Sequence, residues 1–338
     1  MRTALTVLLA FALGVLATVL WHAQGAPPLH ATPPQAAALP APADRPASLP
    51  PSADLGDDAW PSQAPTPEQV IYAQPDLVQG SLDQLSPRQP GQPNLYLLAF
   101  AADGSQNVFH NEATYAARLF RQRFGPAVHA LVLENSPATL ATRPLASWSN
   151  LEQALDGLAR VMDPRQDILM LYLTTHGSHD HNLLVDMDPL PLDQIGAPDL
   201  AGILQEHPFK WKVVVVNACY SGGFIPDLHG PGTMVLTAAR ADRSSFGCGS
   251  ESQITYFGHA WLVDALNRTA DFAAAFTQAR QEIADWEKRD HLTPSLPQID
   301  IGRGIEAQLA RWRKGFTPGP RVPFAPAAGA VPVSAASR

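Results

Sequence analysis

Residues 211–223 read Trp211-Lys212-Val213-Val214-Val215-Val216-Asn217-Ala218-Cys219-Tyr220-Ser221-Gly222-Gly223. The run of valines from Val213 to Val216 is β-branched and does not alternate with polar residues. Such a strand must be covered on both faces, which is the situation of a strand inside a parallel sheet. The apolar run stops at Asn217, and Gly222 and Gly223 open the chain just beyond it.

The same punctuation recurs upstream and downstream. Residues 167–174 (DILMLYLT) form a strand that runs into Thr175-His176-Gly177-Ser178, and residues 95–101 (LYLLAFA) form a first buried strand ended by the turn signal Asp103-Gly104. Residues 128–133 and 234–238 supply two more strands. Between them, residues 112–123 carry Ala113, Ala116, Ala117 and Phe120 at helical spacing. Ser149-x-x-Glu152 reads as a capping box opening a helix lined by Leu151, Leu155 and Leu158. Residues 199–206 form a short helix, and residues 271–286 a longer one whose Phe272, Phe276, Ala279, Ile283 and Trp286 make a core stripe. Strands alternating with helices predict an α/β domain of three α/β/α layers around a mostly parallel sheet. In such a sheet the site lies beyond the carboxyl ends of the strands.

The chain has 338 residues, 46% of them hydrophobic, and its 33 prolines cluster toward both ends. Residues 26–67 form a Pro/Ala-rich linker that buries too little apolar surface to order itself, residues 68–92 a pre-domain segment, residues 93–313 the folded domain, and residues 314–338 a disordered Pro/Ala-rich tail. Residues 1–25 place Arg2 before an apolar run, 5–20, and end it at Trp21. This is an export signal, either cleaved as a signal peptide or retained as a membrane tether, and no cysteine sits nearby to carry a lipid. The domain is therefore expected outside the cytoplasm: periplasmic, anchored to the inner membrane facing the periplasm, or secreted. A formal net charge of -8 with scattered Lys and Arg leaves no footprint for nucleic acid.

His176 and Cys219 each follow a strand, each with glycine close by. A thiol at a strand-to-loop transition is open to a substrate carbonyl, and an imidazole at a neighbouring tip can activate it and protonate the leaving amine. Two other readings stay open on residues alone. Cys219 and Cys248, the chain's two cysteines, could form a disulfide in a non-catalytic envelope scaffold. His176, His179 and His181 with Asp180 and Asp186 could be a metal run of a zinc hydrolase, although these offsets do not match a helical ligand pair. Asp186, Asp188 and Asp193 read as a solvated hairpin after His176.

Thr174-Thr175-His176-Gly177-Ser178 and Asn217-Ala218-Cys219-Tyr220-Ser221-Gly222 resemble the two catalytic segments of the legumain-like cysteine peptidases, peptidase family C13. Thr237-Ala238-Ala239, residues 244–248 (SSFGC), residues 255–258 (TYFG) and residues 101–118 resemble the family's other blocks in order, and the exported bacterial branch is the nearest likeness. The resemblance implies a caspase-hemoglobinase-type fold, no metal or organic cofactor, and a peptide or protein substrate hydrolysed through a thioester acyl-enzyme. Transpeptidation by the same residues is its alternative. It makes Cys219 the nucleophile, His176 the general acid and base, Asn107 the orienting residue, and the N–H groups of Gly177 and Cys219 the oxyanion hole. Where the asparagine-specific members place an arginine and two acids in the pocket for the residue before the cut, this chain has Phe109, Asn217 and His259. His110 and Ser245 remain in matching places. The pocket is thus expected to take an apolar or neutral side chain. Cys248 matches a position that is not the nucleophile, and any autoinhibitory segment is expected within residues 54–92.

Overall fold

The computed structural model describes residues 60–249 and 252–327. The apolar run 5–20, most of the linker and residues 328–338 lie outside the described residues. Among the described residues no helix is long and apolar enough to cross a membrane.

Along the chain come α1 (Pro67–Asp83), β1 (Leu95–Ala101), α2 (Asn107–Arg123), β2 (Val128–Glu134), α3 (Trp148–Val161) and β3 (Ile168–Thr174). A small hairpin of β4 (Asn182–Leu183) and β5 (Ile195–Gly196) leads to α4 (Ala197–Gln205), β6 (Trp211–Asn217) and β7 (Thr233–Thr237). The domain closes with α5 (Phe272–Arg289), β8 (Gln298–Ile301) and α6 (Ile305–Arg313). The main sheet has six strands in the order β2-β1-β3-β6-β7-β8, parallel except for β8, which pairs antiparallel with β7.

The valine run shows why the sheet is a middle layer. Val213 and Val215 face one side, packing with Met170, Tyr172, Phe120, Phe272 and Trp312 under α2, α5 and α6. Val214 and Val216 face the other, with Leu169, Leu171, Leu173, Leu155 and Leu200 under α3 and α4. Each such side chain contributes about 1.5–3 kcal/mol relative to leaving it in water, so sliding any central strand exposes apolar surface on both faces.

Helix starts follow local chemistry. Asp271 caps α5 by accepting from the Ala273 and Ala274 amides. The cap of α3 is Ser147, which accepts from the Asn150 amide, so the expected box at Ser149 lies inside the helix. Strand β8 escapes prediction because it is short, half-exposed and not an apolar run. The segment preceding β1 is a helix with its own capping box, Thr66 with Gln69, and its Val78 and Leu82 pack into the α3 side of the core. Gly157 of α3 makes room for it: a Cβ there would meet Leu82 Cδ1 at 2.2 Å. Residues 67–83 thus pack on the α3 layer, and Val70 joins a small cluster with Leu140, Leu145, Met187 and Leu190.

Residues 314–327, read from composition as the start of a disordered tail, have no regular secondary structure but lie against α2. The Gly319 amide donates to the Arg123 carbonyl at 2.7 Å, Tyr115 and Asn267 bond the backbone of Val322, and the Ala327 amide donates to Asn111 Oδ1. Phe316 packs on Phe124 and Trp312, and Val322 is buried. A chain ending at Gly315 is expected to lose about 2–4 kcal/mol of stability, read as a lower urea midpoint. An unchanged midpoint would show that the docked tail adds nothing.

Candidate active site

Three central strands end level. Ala101 of β1 pairs with Thr174 of β3, which pairs with Asn217 of β6. Two residues beyond each of these aligned positions stand Asp103, His176 and Cys219. A carboxylate, an imidazole and a thiol therefore leave the sheet in one row, with the imidazole in the middle.

His176 Nε2 faces Asp103 Oδ2 at 3.4 Å, an electrostatic contact somewhat longer than a direct hydrogen bond. Asp103 is 1% exposed, and its other oxygen accepts from the Ser105 amide at 2.8 Å and the Ser105 hydroxyl at 2.7 Å, so the carboxylate is fixed before the imidazole meets it. The Phe109 ring packs edge-on against the imidazole with centroids 5.1 Å apart. With Nε2 directed at Asp103, Nδ1 is the ring nitrogen left for proton exchange.

Cys219 sits half-buried. The Ser245 amide donates to its Sγ at 3.2 Å and the Ser245 hydroxyl lies 3.6 Å away. A hydrogen bond from the Cys248 thiol draws the Cys219 thiol down to about pKa 5, against the opposing effect of burial; the Ser245 donors and the charge of His176 add to it. The same hydrogen bond and burial push Cys248 up, so Cys248 is the protonated partner. Cys219 alone has the Ser245 amide and the imidazole beside it, which is why the negative charge belongs there. Both thiols are free.

Backbone geometry clamps the nucleophile loop. Tyr220 holds φ +57, a strained value for a non-glycine residue, and its amide donates to Arg243 O while its carbonyl accepts from Gly223. Gly177 has to be glycine: a Cβ would stand 2.1 Å from the carbonyl oxygen of Cys219. Gly177 also bridges Leu183, but the hydrogen bonds of that bridge are made by His176 O and Ser178 N, so the Gly177 amide is not spent on it.

Beneath the row lies a buried polar node. Glu112 of α2 accepts from Tyr172 at 2.8 Å and from Asn217 through Oε1, and from the Thr255 amide and hydroxyl through Oε2. Burial and the Glu112 charge push Tyr172 well up, so it stays a donor. Asn217 also donates to Thr255 Oγ1 at 2.9 Å. Gly258 leaves space for this node, since a Cβ there would be 1.9 Å from Glu112 Oε2.

Of the residues expected from sequence, His176, Gly177, Cys219 and Ser245 converge here. Asn107 opens α2 as its first residue; the imidazole faces Asp103, which sequence reading used only as a turn signal. Three of the expected pocket residues are placed differently. Phe109 is fully buried and touches His176, Asn217 is tied into the Glu112 node, and buried His110 bonds Glu134 at 2.9 Å next to Arg143. His259 packs on Trp286 and faces Asp264 at 3.6 Å. The side chains of the histidine run are engaged separately, His179 against Tyr220 and His181 against Gly223 and the Tyr220 carbonyl. A groove of about 1220 Å³ between α5 and residues 294–299 is lined by Arg240, Trp286 and Leu296 and does not include the row.

No curated protein matches the chain significantly. Among solved structures, the crystal structure of caspase-1 from Spodoptera frugiperda is similar at a TM-score of 0.44 and 14% identity, over 65% of this chain and 90% of that one. The family that a sequence model assigns to residues 149–308, the stretch holding both His176 and Cys219, is the peptidase C13 family.

Proposed function

We propose that this chain is a cysteine endopeptidase in which Cys219 is the nucleophile, His176 the proton carrier and Asp103 the residue that positions the imidazole. The observation that carries the reading is the single row of Asp103, His176 and Cys219 at the aligned ends of β1, β3 and β6, within a chain whose residues 149–308 match a cysteine peptidase family. The Cys219 thiolate attacks the scissile carbonyl carbon, and the carbonyl π electrons move onto oxygen beside the Gly177 and Cys219 amides. As the tetrahedral species collapses, the C–N bond breaks and the imidazolium gives its proton to the departing amine. His176 then takes a proton from water, whose oxygen attacks the thioester and releases the carboxylic acid and the thiolate. An amine in place of that water would give transpeptidation, and products formed with an added amine nucleophile distinguish the two outcomes.

Phe109 and Asn217 are buried and uncharged, so two of the three positions that carry charge in the asparagine-specific members offer a substrate no charge here. This supports a neutral or apolar residue before the cut. The apolar run 5–20 supports action outside the cytoplasm, a reading that rests on sequence alone.

Replacing the nucleophile, Cys219→Ala, is expected to lower kcat at least about 10³-fold on a cleaved peptide from a library. Asp103→Asn should lower kcat by about 10- to 1000-fold with little change in KM, because the imidazole loses its orienting charge while substrate contacts remain. An equal loss in both parameters, or full activity without Cys219, sinks the assignment.

The lowered Cys219 pKa fixes the direction of a second test. A depressed value keeps the thiolate present as pH falls, until the pH passes through about 5, where reactivity is lost. Iodoacetamide labelling of Cys219, followed by peptide mapping, should therefore show a rate midpoint near pH 5. His176→Asn should raise the midpoint by removing the charge that favours the thiolate. A midpoint at about 8.5, the ordinary thiol value, would overturn the electrostatic account.

A further inference from the structure

The mechanism leaves one nucleophilic side chain unused. Cys248 stands three residues past Ser245, the residue whose amide touches Cys219 Sγ at 3.2 Å. Gly247, at φ +81, turns the chain between them. The Cys248 side chain packs on the small cluster of Ala99, Ala101, Val108, Phe109 and Ala113, the same Phe109 that touches the His176 ring. Cys248 thus lies beside both members of the site, next to Ser245 on the Cys219 side and against Phe109 on the His176 side. The chain has no third cysteine to compete.

We propose that Cys219 and Cys248 form a peroxide-responsive modification site, in which oxidation of the nucleophile is captured by Cys248 as a reversible disulfide. In the first step Cys219 sulfur attacks a hydroperoxide: the O–O bond breaks, an S–O bond forms, sulfur is oxidised to the sulfenic acid, and the peroxide is reduced to an alkoxide or hydroxide that takes a proton from water. In the second, Cys248 sulfur attacks the sulfenic sulfur: the S–S bond forms, the S–O bond breaks, and the hydroxide leaves with the Cys248 proton as water. A dithiol reverses the step by exchange, returning both thiols and being oxidised itself.

Three features make this pair suited to the chemistry. The Ser245 amide, 3.2 Å from Cys219 Sγ, holds the segment that carries Cys248 against the nucleophile, and a disulfide needs the two sulfurs to close to about 2.05 Å. Gly247 and Gly249 flank Cys248, and a Cβ at Gly249 would have nothing within 4 Å, so the backbone there has room to move. The thiolate character of Cys219, drawn from the Cys248 thiol and the Ser245 donors, is what a peroxide attacks. Once bonded to Cys248, Cys219 has no free electron pair to offer a peptide. That consequence for activity rests on the proposed role of Cys219, whereas the disulfide itself does not.

The test uses the full chain, hydrogen peroxide and intact-protein mass. The expected product is lighter by about 2 Da, is refractory to maleimide at both cysteines, and regains both thiols and peptidase activity with dithiothreitol. Cys248→Ser, its fold checked by circular dichroism and thermal unfolding, should instead gain about 16 and then 32 Da on Cys219 and not recover. Wild-type protein that gains about 16–32 Da while Cys248 stays labelled by maleimide overturns the proposal, with no reliance on the variant. A product lighter by about 2 Da in a protein that cleaves no peptide would leave the disulfide standing and remove the peptidase reading.

Discussion

The site depends on register. In a parallel sheet, neighbouring strands lie about 4.8 Å apart and residues two apart share a face. Pairing Ala101 with Thr174 and Thr174 with Asn217 therefore sets Asp103, His176 and Cys219 each two residues beyond one aligned row of strand ends, where Asp103 also bridges Asp186 of the loop that follows His176. Strand order does the rest, because β3 lies between β1 and β6 and so seats the imidazole between the acid and the thiol. A slip of β1 by one residue would present Ala102 or Gly104 to His176 and turn Asp103 to the opposite face. What forbids the slip is the two-sided burial of Leu97, Leu98, Val213 and Val214, which has nothing to do with chemistry at the tips.

Register alone would leave the tips loose, and the Glu112 node stiffens them. A carboxylate taken fully out of water is costly unless every lone pair is used. Here Tyr172, Asn217 and Thr255 supply its donors, from β3, β6 and the start of the helical turn at Tyr256. Removing any one partner strands a buried charge, so α2, two strands and the 255–258 segment are bound to move together. Asn217 is two residues before Cys219, which makes the node the foundation of the nucleophile loop. This is also why Asn217, matched by resemblance to a pocket acid, is unavailable to a substrate: its amide is already committed below.

His176 and Cys219 were legible because each ends an unbroken apolar run and carries a group able to move a proton or attack a carbonyl. Asp103 stood equally in view at the end of the first run, but its meaning depends on β1 lying next to β3, which residue order does not state. Asn107 was selected by resemblance; it lies four residues further on, as the first residue of α2. Phe109 and Asn217 carry no charge that would keep them in water, so burial claims them. The docking of residues 314–327 was invisible to composition for a different reason: it is fixed largely through the tail's own main chain, whose Gly319, Val322 and Ala327 amides donate to Arg123 O, Asn267 Oδ1 and Asn111 Oδ1 and whose Val322 carbonyl accepts from Tyr115, and backbone groups have no signature in sequence.

The remaining question is how a half-buried sulfur can be charged at all. Burial by itself raises a thiol's pKa, so donors must outweigh it, and the amide and hydroxyl of Ser245 together with the Cys248 thiol do so at Cys219. Thiol donors differ from amides in one respect: they are themselves reactive. An amide in the place of Cys248 would stabilise the thiolate and could do nothing more, whereas a thiol stabilises it and stands ready to bond to it once it is oxidised. Activation and susceptibility to oxidation are then two results of one contact. A thiol that stabilises a thiolate is, by its own chemistry, also a group able to bond to the oxidised sulfur.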